Sequence, residues 1–159
     1  MPEISSKDVS TPLLGRSSVL RTISPSTKSA RAVEPTVLVA DDNDDTRAMF
    51  RTLLTNKGYR VIEAADGEEA VELTTRENPG LVLLDLGLPR MNGLTVIRRL
   101  RDEIKLSDVP VVVITGYDKH FNTAVAAGCD DYLLKPVDFA RLDAILEYYV
   151  PTKPEPSRV

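Results

Sequence analysis

Four aspartates crowd into five positions, Asp41-Asp42-Asn43-Asp44-Asp45, directly after the apolar run Thr36-Val37-Leu38-Val39-Ala40. Two like charges about 4 Å apart repel by ~1 kcal/mol in water and by ~4 kcal/mol at an effective dielectric of 20. Such crowding costs stability unless a cation binds there or the acids divide their tasks. Three other polar residues end apolar runs. Asp85 follows Leu81–Leu84, Thr115 follows Val111–Ile114, and Lys135-Pro136 follows Tyr132–Leu134. Asp41, Asp42 and Asp85 together would make an oxygen-rich site for a hard divalent cation. Mg²⁺ takes one or two carboxylates plus phosphate and retains several waters. The Thr115 hydroxyl and the Lys135 ammonium suit a phosphoryl group. With both cations in place, attack by the Asp85 carboxylate on a phosphoryl donor becomes electrostatically reasonable. Asp44 and Asp45 read differently, as first-turn acids that complement a helix dipole and cap its free N–H groups.

That chemistry requires elements that bring distant residues together. Strand-like runs are Val37–Ala40, Arg60–Ala64, Leu81–Leu84, Val111–Ile114 and Tyr132–Leu134. Helix-like runs lie between them. Asp44–Asn56 puts Met49, Phe50, Leu53 and Leu54 on one face. Gly67–Glu77 stops at Asn78-Pro79-Gly80, and Leu94–Ile104 carries Ile97 and Leu100. Lys119–Ala127 is shorter and closes at Gly128. Asp138 caps a last helix with Phe139, Leu142, Ile145, Leu146 and Tyr149 at helical spacing. Three strands are uninterrupted apolar runs, the pattern of parallel strands buried on both faces. The expected fold is α/β: a doubly wound five-stranded parallel sheet with helices on both faces. In such sheets functional groups gather beyond the carboxyl ends of the strands.

Length and composition narrow the classes further. The 159 residues suit one domain with tails. Residues 1–35, rich in Ser, Thr and Pro and net basic, read as a disordered tail. Residues 36–150 read as the domain, and residues 151–159, PTKPEPSRV, as a short Pro-rich end. The domain carries a net charge of −7, which argues against nucleic-acid binding. No apolar run approaches the ~18–20 residues of a membrane span, and no signal-peptide core is visible. The single Cys129 forbids an internal disulfide and fits a cytoplasmic setting. One Cys and one His leave no zinc motif.

The pieces VLVADDND, LVLLDLGLPRMNG, VVVITGYD and DDYLLKPVD, in that order, resemble the receiver domain of two-component response regulators of the chemotaxis type. The resemblance covers about residues 36–150. It implies the flavodoxin-like strand order 2-1-3-4-5, which makes the first and third strands neighbours. It implies that Asp85 is the phosphoacceptor, that Asp42 binds Mg²⁺ directly and Asp41 partly through water, and that the Gly87 carbonyl completes the metal shell. Lys135 would pair with a phosphoryl oxygen, before a cis Lys135–Pro136 bond. Thr115 and Tyr132 would form the conformational switch. The phosphoryl group would come from a histidine kinase or a histidine phosphotransfer protein. Protein targets or a second copy would dock on the fourth helix, fifth strand and fifth helix, including Lys119, Tyr132 and Tyr148.

Near the site, open space at Gly87 and a bulky Tyr117 suggest opposite effects on the lifetime of the phosphorylated state. Pro89, Met91 and Gly93 shape the loop after Asp85, Gly67 opens the second helix, and His120 reads as an exposed residue. With nine residues after the last helix, the expectation is a stand-alone receiver that acts through protein contact. An output regulator and a phosphorelay intermediate fit equally. A receiver-like domain that is never phosphorylated is the bland alternative. A haloacid-dehalogenase-type phosphatase would need a second acid two residues after the nucleophile, where this chain has Gly87.

Overall fold

A computed structural model describes residues 35–116 and 121–152. Five strands alternate with five helices: β1 (Thr36–Ala40), α1 (Asp44–Asn56), β2 (Arg60–Ala64), α2 (Gly67–Glu77), β3 (Leu81–Asp85), α3 (Gly93–Arg98), β4 (Val111–Thr115), α4 (Phe121–Ala127), β5 (Asp131–Leu134) and α5 (Phe139–Tyr149). All strand pairs are parallel and the sheet order is β2-β1-β3-β4-β5. The expected order therefore holds. Of the expected tails, only Pro35, Pro151 and Thr152 fall within the described residues.

Side chains alternate across the sheet and fill two separate cores. Leu38, Val82, Leu84, Val111 and Val113 face one side, where Ala70, Val96, Ile97, Leu100 and Ala124 of the helical layer cover them. Val37, Val39, Leu81, Leu83, Val112, Ile114 and Leu133 face the other, under Phe50, Leu54, Leu142, Ile145 and Leu146. This double burial explains the uninterrupted apolar runs of β1, β3 and β4. The edge strands β2 and β5 are only half buried.

Polar caps end the loops at the carboxyl side of the sheet. Asn43 is the N-cap of α1, its side chain accepting from the Thr46 N–H at 2.9 Å. Asp44 and Asp45 lie in the first turn as expected, but the capping role belongs to Asn43. A capping residue needs extended backbone, which Asn43 has and the two helical aspartates do not. Asp66, Asn92 and Asp138 cap α2, α3 and α5 in the same way.

One helix departs from expectation. The run Leu94–Ile104 is an α-helix only to Arg98, and Arg99–Glu103 form a π-helical turn closed by Ile104 N–H donating to Arg99 C=O at 2.9 Å. Within that turn Leu100 stays fully buried. Arg101 reaches across to Gly128 C=O at 3.0 Å, Leu106 C=O at 2.5 Å and the Asp130 carboxylate at 2.9 Å. The wider turn serves both demands, and apolar periodicity alone carries no sign of it. The expected start of the fourth helix, at Lys119 and His120, lies outside the described residues, as does Tyr117.

Candidate functional site

β1, β3 and β4 finish side by side. Val37 to Ala40 pair with Leu81 to Leu84, and Asp85 pairs with Ile114. Asp41 is the first residue beyond β1, and Asp85 is the last of β3. That register delivers both acids, with Asp42, to one place. An oxygen from each of Asp41, Asp42 and Asp85 lies within 4.8 Å of the others.

Asp41 is the buried member, 3% exposed. Its N–H donates to Ala64 C=O at 3.1 Å, and its Oδ1 accepts from the Asn43 N–H at 2.8 Å. Asp85 Oδ1 accepts from the Gly87 N–H at 3.1 Å. Lys135, just past β5, points its Nζ between them, 3.4 Å from Asp41 Oδ2 and 3.4 Å from Asp85 Oδ2. Its own N–H donates to Thr115 C=O at 2.9 Å, tying the end of β5 to that of β4. The Lys135–Pro136 bond is cis.

Burial pushes the Asp41 carboxyl above the usual 3.8, and the Asp85 charge pushes the same way. The Asn43 N–H and the Lys135 charge pull it down without cancelling the rise. For Lys135, burial favours the neutral amine, but the charges and hydrogen bonds of Asp85 and Asp41 outweigh it and the pKa is raised. The lysine is therefore an ammonium, and three carboxylates face one cation. That oxygen-only donor set, with charge left uncompensated, suits a hard divalent ion.

Beside the acids lies a cavity of about 360 Å³, lined by Asp85, Leu86, Gly87, Asn92, Leu94, Thr115 and Gly116. Thr115 is buried at the end of β4 and shares this cavity with Asp85. Gly87 has open space: a Cβ there would sit 3.8 Å from Asp85 Oδ1. Gly93 and Gly67 are different. A Cβ on Gly93 would meet Asp85 O at 2.8 Å, and one on Gly67 would meet Met91 O at 1.8 Å. The loop after Asp85 is thus held by backbone packed against backbone.

Tyr132 packs between side chains of α4 and α5. Its ring is 4.1 Å from that of Phe121 and lies under the Arg141 guanidinium at 5.6 Å. Tyr148 is 79% exposed on α5. A further residue contacts the site and was not anticipated from the sequence. Arg47, on α1, donates to Asp41 C=O at 2.6 Å. An Arg six positions after an acid carries no local signal of that contact.

Residues 37–147 match the family described as the response regulator receiver domain. The chain belongs to that family. This receiver is 42% identical over 110 residues to a "Probable transcriptional regulator ycf27" of Porphyridium aerugineum, an alignment covering 68% of the chain and 45% of that relative. It therefore spans less than half the length of that curated relative. It is 30% identical over 116 residues to the "Polar-differentiation response regulator DivK" of Brucella ovis, covering 72% of the chain and 94% of DivK. Among solved structures, the receiver domain of the sensor histidine kinase PA1611 of Pseudomonas aeruginosa superposes with a TM-score of 0.68 at 29% identity. That match covers 76% of this chain and all of the other, which is described with a magnesium ion coordinated in the active site cleft. The receiver is a signalling domain of the two-component class. Among the described residues, no helix is long and apolar enough to cross a membrane.

Proposed function

We propose that Asp85 accepts a phosphoryl group with the help of Mg²⁺, and that the phosphorylated domain signals to a protein partner. The observation that carries this reading is the convergence of Asp41, Asp42 and Asp85 within 4.8 Å, with Lys135 bridging Asp41 and Asp85. Asp41, Asp42, Asp85 and the Gly87 carbonyl would hold the ion. When bound, Mg²⁺ neutralises charge shared between these oxygens and the incoming phosphoryl group.

The Gly87 N–H fixes one oxygen of Asp85 and Lys135 the other, so the carboxylate is oriented before it reacts. One Asp85 oxygen attacks phosphorus while the P–N bond of a phosphohistidine donor breaks, its electron pair staying on the imidazole nitrogen. Lys135 then pairs with a phosphoryl oxygen. Thr115, across the shared cavity, turns its hydroxyl toward another, and the space it leaves admits the Tyr132 ring. This is a two-state element biased by new charge. The donor is a histidine kinase or a histidine phosphotransfer protein. Exposed Leu134, Phe139 and Tyr148 on β5 and α5 supply an apolar docking face for the target. Residues 36–150 constitute the working unit.

Mg²⁺ with a small phosphodonor should give a phosphorylated species on a phosphate-retarding gel that disappears in Asp85→Asn, and a chain trimmed to residues 36–150 should give it too. Labelling that persists in Asp85→Asn, or is unaffected by chelating Mg²⁺, defeats the proposal.

A further inference from the structure

We propose that Arg47 is a positioning residue for the divalent-cation site, acting on Asp42 through the Asp41–Asp42 peptide. The proposal rests on the cation-site reading above. Asp42 is exposed, and no hydrogen bond or ion pair among the described residues holds its carboxylate. The backbone that carries it therefore sets where its Cα–Cβ bond starts and points. Besides the Asn43 N–H, which donates to Asp41 Oδ1, that backbone is anchored at two further points. The Asp41 N–H donates to Ala64 C=O of β2, and the Asp41 C=O accepts from Arg47 Nη1 at 2.6 Å. The second bond fixes the plane of the peptide leading into Asp42.

Arg47 is itself held in place. Its guanidinium pairs with Glu63 Oε1 at 3.4 Å and with Asp44 Oδ1, and its side chain is only 13% exposed. Three acceptors from three places, the β1 end, β2 and the first turn of α1, thus converge on one planar fork. Lysine has the charge but not the fork. Nearby Arg51 also pairs with Glu63, at 2.6 Å, but makes no hydrogen bond to Asp41. It is the natural control for charge alone.

Charge and geometry predict opposite signs, which makes the proposal decidable. A nearby cation repels Mg²⁺, so if Arg47 acted only through charge, Arg47→Ala would tighten Mg²⁺ binding. If it positions Asp42, Arg47→Ala weakens binding, by about tenfold as is usual for partners that orient metal ligands. The measurement is a calorimetric Mg²⁺ titration of the full chain without phosphodonor, with circular dichroism to confirm folding. Arg47→Lys keeps the charge and loses the fork. It should also bind Mg²⁺ more weakly, and it keeps the test open if Arg47→Ala does not fold. Arg51→Ala should bind as tightly as the wild type or slightly tighter. Unchanged or tighter Mg²⁺ binding in the folded Arg47 variants overturns the positioning role while leaving the cation site intact. A wild-type chain that binds no Mg²⁺, or an Asp42→Asn variant that binds it undiminished, overturns the cation site and the positioning role together.

Discussion

Lys135 and Asp85, fifty positions apart in the chain, meet at 3.4 Å, and the same ammonium lies 3.4 Å from Asp41. One lysine thus serves two carboxylates that would otherwise repel each other. If it also pairs with the phosphoryl group in transfer, Lys135→Ala should slow phosphorylation of Asp85 by about a hundredfold, the usual cost of removing one preorganised donor. Mg²⁺ binding should survive or tighten, because a competing cation has gone. Phosphodonor kinetics beside a Mg²⁺ titration check both halves.

The glycines near the site divide by what they touch. Gly67→Ala places a Cβ 1.8 Å from the Met91 carbonyl, where main chain cannot yield cheaply. A loss of about 2–3 kcal/mol in denaturant unfolding is expected. Gly87→Ala meets nothing closer than 3.8 Å and should unfold like the wild type. A Gly67→Ala variant as stable as the parent would show that the loop after Asp85 is not held as described.

Tyr59 makes stability sensitive to alkali. Its hydroxyl donates to Val150 C=O at 2.9 Å, and burial, followed by the charges of Glu147 and Asp143, raises its pKa above 10.0. The folded state therefore retains the phenolic proton longer than the unfolded chain. The contribution is fully present below 10.0 and is lost as pH rises through the folded value. Tyr59→Phe should cost about 1 kcal/mol at neutral pH and lose less stability than the wild type in alkali. Urea titrations on either side of pH 10.0 make the comparison.

Cys129 should be slow to react. Burial, reinforced by Asp130 and Asp131, lifts its thiol from 9.0 to about 11. At mildly alkaline pH the thiolate is scarcer in the folded chain than in the unfolded one by about a hundredfold. Alkylation by iodoacetamide, followed by mass spectrometry, should be slowed by at least that factor and released by urea. Rapid labelling of the native chain would contradict the burial.

The strands were legible because double burial writes itself as uninterrupted apolar runs, and their ends marked Asp85, Thr115 and Lys135. Strand order was not written locally, since parallel pairing leaves no trace in hydrophobic period, and it came from resemblance. The start of α1 showed the limit of composition: Asp44 and Asp45 fit the dipole, but Asn43 has the backbone to cap. The π turn at Arg99–Glu103 answers to Arg101 contacts with residues around 130 and was invisible for that reason. Of the three Arg47 partners only Asp44 is local; the Asp41 carbonyl and Glu63 on another strand leave no mark in the helix pattern.

The alternation of β3 between two cores bears on how such a chain tolerates insertions and deletions. Losing or gaining one residue inside Leu81–Leu84 would swap the side chains beyond the change to the opposite layer and rotate Asp85 away from its neighbours. Length variation among descendants of this sequence should therefore fall in the connections, with the strand interiors fixed in residue count.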